Sequence, residues 1–69
     1  MKITDEKLQD LTTLQAMLKI HLKQNAYLIV KTSDNNLIAT GHVLELAGKE
    51  IQKAINYVEE NIKRVKENL

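Results

Sequence analysis

The sequence predicts a small α+β domain in the order α-β-β-α, and three observations lead to it. A turn-forming cluster, Ser33-Asp34-Asn35-Asn36, stands near the middle of the chain. β-branched and aromatic residues flank it on both sides, from Ala26 to Leu46. Beyond that stretch apolar residues recur at helical spacing, Leu8 to Leu22 on one side and Ile51 to Leu69 on the other. The expected elements are a helix at about 5–23, a β-hairpin at about 26–46 and a helix at about 48–69, all in one domain.

The first helix is expected to begin at Thr4, a good N-cap, with Asp5 and Glu6 in the first turn where the helix dipole favours acids. Ile3 and Leu8 are spaced for a hydrophobic staple. Leu8, Leu11, Leu14, Leu18 and Leu22 then fall on one side, with Met17 and His21 at its edge.

The hairpin rests on register. A four-residue loop at Ser33–Asn36 sets Thr32 opposite Leu37 and Val30 opposite Ala39. Side chains alternate along a strand. One face then carries Leu28, Val30, Leu37, Ala39, Gly41 and Val43, and the other carries Tyr27, Ile29, Lys31, Ile38, Thr40 and His42. A one-residue slip would mix the two sets. Asn35 and Asn36 tolerate the left-handed backbone such loops require.

A helical reading competes. Positions 37, 41, 44, 48, 51, 55, 58, 62, 65 and 69 are Leu, Gly, Leu, Gly, Ile, Ile, Val, Ile, Val and Leu, alternating steps of four and three. That is a helical seam. It implies one long helix capped by Ser33 or Asp34, and an all-α helical hairpin overall. Two glycines inside the seam count against it, at about 1 kcal/mol each relative to Ala. The run Tyr27-Leu28-Ile29-Val30 also favours strand. The α+β arrangement is therefore preferred.

From Ile51 onward the helix is plain, with Ile51, Ile55, Val58, Ile62, Val65 and Leu69 in one stripe. Glu59 with Lys63 and Glu60 with Arg64 are favourable i,i+4 pairs, worth about 0.2–0.5 kcal/mol each.

Composition narrows the function. A chain of 69 residues buries a limited share of its surface, and with no Cys it has no disulfide to reinforce a small core. Self-association is the remaining common remedy. Absence of Cys, and of an apolar leader at the start, leads to a cytoplasmic expectation. No stretch is apolar for long enough to span a membrane. The net charge is +1 with acids and bases interleaved, which argues against nucleic acid and anionic lipid as partners. Nine of the ten basic residues are Lys, and Arg is the usual reader of guanine and phosphate.

Catalytic, cofactor-binding and metal-binding sites are not expected. His21 and His42 are the only imidazoles, and nothing in their spacing demands a shared metal. There is no nucleophile elbow, phosphate loop or paired-carboxylate motif. The mixed strand face is the candidate interaction surface: Tyr27, Ile29, Lys31, Ile38 and His42. The expected function is that of a non-catalytic protein-interaction module, binding or modulating another protein as a homodimer. The alternative is a nucleic-acid-associated regulator using the lysines of the C-terminal helix, Lys49, Lys53, Lys63 and Lys66.

Overall fold

In the computed structural model the chain is an antiparallel helical hairpin, described over residues 3–68, with side-chain surroundings from residue 5. Helix α1 spans Ile3–Asp34 and helix α2 spans Ile38–Glu67. At 1.5 Å per residue, the 32 residues of α1 extend for about 48 Å, and the molecule measures 51 × 17 × 11 Å.

The β-hairpin at 26–46 is thus overturned, and the all-α alternative fits. Residues 26–34 continue α1 and residues 38–46 begin α2. No strand occurs among the described residues. The physical reason lies in the residues of α1 that face α2. Those residues are Leu8, Leu11, Gln15, Leu18, Leu22, Asn25, Ile29 and Thr32; every other described side chain of α1 is exposed. Their steps alternate three and four without a break, which is the heptad period of a two-helix seam. Polar residues at three of the eight positions hide that period from a search for apolar residues. Burial of the whole stripe outweighs the weak strand preference of Tyr27 to Val30, because tertiary packing overrides local propensity.

The α2 side of the seam runs through Gly41, Leu44, Gly48, Ile51, Ile55, Val58, Ile62 and Val65. Ile55, at 2% exposed, is the one buried hydrophobic residue among those described. Register follows from the two glycines. Gly41 lies against Thr32 and Gly48 against Asn25. Continuing the heptads from those layers sets Leu18 opposite Ile55 and Leu11 opposite Ile62.

The glycines that weighed against a helix are therefore what the seam requires. A Cβ at Gly48 would stand 2.6 Å from Asn25 Oδ1, so only glycine lets the amide lie between the helices. Asn25 is 7% exposed, and its Nδ2 donates to the Leu44 carbonyl at 3.0 Å, joining α1 to the backbone of α2. Thr32, 8% exposed, donates from Oγ1 to the Ile29 carbonyl at 2.8 Å. Both buried polar side chains are satisfied, as burial demands.

The turn closes on Asn36, whose φ of 58° is left-handed. Asn36 N–H donates to the Ser33 carbonyl at 3.1 Å and Leu37 N–H to the Thr32 carbonyl at 2.8 Å. This pair of bonds is the Schellman ending of a helix. The left-handed tolerance expected of Asn36 is used, but to end α1 rather than to join strands. Ser33 and Asp34 belong to α1 and cap nothing in α2; α2 starts from Leu37 with no side-chain cap. At the other end, Thr4 already lies within α1, so the expected start at Asp5 moves upstream. The Ile3 staple and the last stripe residue, Leu69, lie outside the described side chains.

Candidate interaction surface

Each helix of the hairpin spends one side on the seam, which leaves two flanks. One flank is marked by a cluster that crosses the seam. Gln15 Nε2 donates to Glu59 Oε1 at 3.2 Å, and Lys19 Nζ lies 3.9 Å from the same oxygen. Glu59, expected to pair with Lys63 on its own helix, reaches across to α1 instead. At 3.6 residues per turn, Lys23 on α1 and Glu45 and Lys49 on α2 fall on this same side. It is the charged flank.

The opposite flank is apolar. On α1 it carries Leu14, Met17, His21, Gln24 and Leu28, again in steps of three and four. Leu14 is 49% exposed, Met17 53% and Leu28 47%. On α2 it carries Val43, Ala47 and Ala54, with Tyr57 toward the outer edge. Charge is sorted accordingly. Between Leu11 and Val30 the charged residues of α1 are Lys19 and Lys23, and both lie on the charged flank. The nearest charges on the apolar side of α2, Glu50 and Lys53, bond to one another at 3.1 Å.

The residues expected to share a strand face are dispersed. Ile29 faces α2 in the seam. Tyr27 and Lys31, one turn apart, lie on the back of α1, with the Lys31 ammonium 5.5 Å from the centre of the Tyr27 ring, in reach of a cation–π contact. Ile38 and His42, one turn apart on α2, are both exposed, and His42 Nδ1 lies 3.8 Å from Glu45 Oε2. Ile29, Ile38 and His42 do border one shallow hollow at the closed end, together with Thr32 and Gly41. Tyr27 and Lys31 are outside it. A period of two over six residues assembled this set, and the helix period takes it apart.

Leu28 and Val43 were expected to share a strand face, but Leu14, Met17 and Ala54 were not expected to join them on one surface. Two signals in the sequence mark it: a second three-four stripe on α1 beside the first, and the absence of charge along it.

No three metal-ligating side chains come together among the described residues. His21 and His42 stand on different helices, about 15 Å apart along the hairpin at 1.5 Å per residue. No described helix is long and apolar enough to cross a membrane. Comparison of the chain with protein-family models, with curated proteins and with solved structures finds no match.

Proposed function

We propose that this chain is a non-catalytic protein-interaction module, a rigid helical hairpin that presents its apolar flank to another protein in the cytoplasm. One observation carries the reading. Among the described residues eleven large hydrophobic side chains stand at least 47% exposed, against one that is buried. Scattered apolar residues are ordinary on a surface, but a contiguous stripe without charge marks a contact. Five of the eleven, Leu14, Met17, Leu28, Val43 and Tyr57, lie on the apolar flank or its edge. A straight flank of this kind suits helix-against-helix docking, in which residues at i, i+3, i+4 and i+7 anchor the partner.

The lysines of α2 favour no second reading. Lys53 is engaged by Glu50, and Glu45, Glu59, Glu60 and Glu67 alternate with the remaining cations along the helix.

A photo-reactive amino acid at Met17, compared with one at Thr12 on the charged flank, tests the proposal in cells that express the chain. Discrete protein adducts from Met17 and none from Thr12 are expected. Absence of adducts at Met17, or equal adducts at both positions, overturns it.

A further inference from the structure

We infer that the apolar flank docks a second copy of this chain, giving a four-helix bundle. The inference rests on the interaction reading above and names the partner. Three features of the hairpin converge on it.

The first is area. A compact protein of 7.9 kDa exposes about 4,400 Å² by the usual scaling of surface with mass, whereas this chain exposes 5545 Å². The excess is about 1,100 Å² per chain. Covering it in a pair would bury about 2,200 Å² in all, within the range of obligate homodimers, roughly 2,000–5,000 Å². One hairpin against another removes the excess for both.

The second is direction. In a square bundle each helix meets two neighbours at about a right angle around its own axis. At 3.6 residues per turn, the Leu14–Met17–His21–Leu28 stripe is centred roughly 90° from the seam of α1. Val43 and Ala54 sit at a similar angle from the seam of α2, on the same side of the molecule. Both helices are therefore prepared for a second neighbour in the same direction.

The third is complementarity. A two-fold contact pairs a surface with its own copy, so the surface must avoid self-repulsion. From Leu14 to Leu28 the apolar flank meets that condition, with Glu50 and Lys53 neutralising one another and Asp10 beyond its end, while the charged flank would be left in water. Its relief alternates large side chains on α1 (Leu14, Met17, Leu28) with small ones on α2 (Ala47, Ala54), which permits interdigitation.

Sedimentation equilibrium from micromolar to millimolar concentration is the direct test, with circular dichroism to follow helix content. The wild-type chain should run at twice 7.9 kDa. M17E combined with L28E should weaken the pair by at least a hundredfold. V30E, the same kind of change at an exposed apolar residue on the other flank, should leave it intact. Should the double variant lose its helices, single-cysteine chains decide the matter, since the native chain has no Cys. Met17→Cys should be trapped as a dimer by a long bis-maleimide, and Val30→Cys should not. A wild-type chain that stays monomeric throughout, or a dimer broken by V30E and not by M17E with L28E, overturns the inference. A monomer that still forms adducts with other proteins through Met17 would refute the second copy while leaving the interaction reading standing. A monomer without adducts would refute both.

Discussion

Gly48→Ala tests the packing of the seam at its most crowded point. The new methyl carbon would lie 2.6 Å from Asn25 Oδ1 and 3.6 Å from Asn25 Cγ. The amide cannot turn aside freely, because its Nδ2 is bonded to the Leu44 carbonyl at 3.0 Å and the residue is 7% exposed. Breaking that bond and leaving the groups unpaired costs about 1–3 kcal/mol, and residual crowding about 1 kcal/mol more. Against this, Ala is favoured over Gly inside a helix by about 0.8–1 kcal/mol. The net expectation is a loss of about 1–3 kcal/mol, which is roughly 4–24 °C in the melting midpoint of a domain this size.

Gly41→Ala is the internal control. There the nearest atom is Thr32 Oγ1 at 3.2 Å, a hydroxyl that relieves the contact with a shift of a few tenths of an ångström. The helix preference of about 1 kcal/mol then dominates, and the midpoint should hold or rise. Thermal melts followed by circular dichroism at one fixed protein concentration make the comparison. Adding Asn25→Ala to Gly48→Ala should recover part of the loss, with a coupling of about 1 kcal/mol or more. Equal shifts for the two glycine variants, or a Gly48→Ala protein that melts above wild type, would refute the packing argument.

Three further outcomes follow from the same structure. Ile55→Ala empties the one buried hydrophobic position among the described residues and should destabilise by about 2–5 kcal/mol, read as a lowered urea midpoint; a loss under about 1 kcal/mol would place the core elsewhere. Asn36→Gly should be neutral or stabilising and Asn36→Val destabilising by about 1–2 kcal/mol, since φ is 58° there; the reverse order would contradict a left-handed helix ending. Glu59→Ala removes a contact to Gln15 and one to Lys19, but the Lys19 and Glu59 side chains are 59% and 48% exposed, so the loss should stay below about 1 kcal/mol and shrink with added salt.

The misread stretch of this fold is 26–46, with helix correctly expected on either side of it. The stripe from Ile51 to Val65 contains only apolar residues, so the period was visible and the helix there is correct. On α1 the same period passes through Gln15, Asn25 and Thr32. Read by hydrophobicity alone, the first helix took Leu14 for a seam residue in place of Gln15, and stopped before Asn25. The Asn-Asn turn offered no correction, because a left-handed Asn serves a helix ending as well as a hairpin loop. Seam glycines were counted as isolated penalties. Only the pairing of Gly48 with Asn25 and of Gly41 with Thr32 reveals them as matched layers, and that pairing spans residues 23 and 9 positions apart. The interaction surface suffered the same fate, since any face defined with period two is scattered by period 3.6.

A seam with three polar positions and two glycines specifies register well but buries little apolar area. Slipping one helix along the other by half a heptad, three or four residues, would set Asn25 against Leu44 or Ile51 instead of Gly48, and its Cβ-free pocket would be lost, so the polar layers act as keys. The same layers leave the hairpin, among the described residues, with one buried hydrophobic residue and a row of half-buried ones to offset the conformational entropy of the chain. If copies pair through the apolar flank as inferred above, folding and pairing form one equilibrium, and stability becomes a function of concentration. The size of the effect can be worked out. A tenfold increase in protein changes the free energy of a dimer relative to two unfolded chains by about 1.4 kcal/mol. For two chains of 69 residues the unfolding entropy near the midpoint is about 290 cal/mol/K. The midpoint should therefore rise by about 5 °C for each tenfold increase, with helix content and sedimentation changing together. A midpoint constant to within a degree over a hundredfold range would show that the hairpin folds alone, and that its apolar flank contributes nothing to its stability.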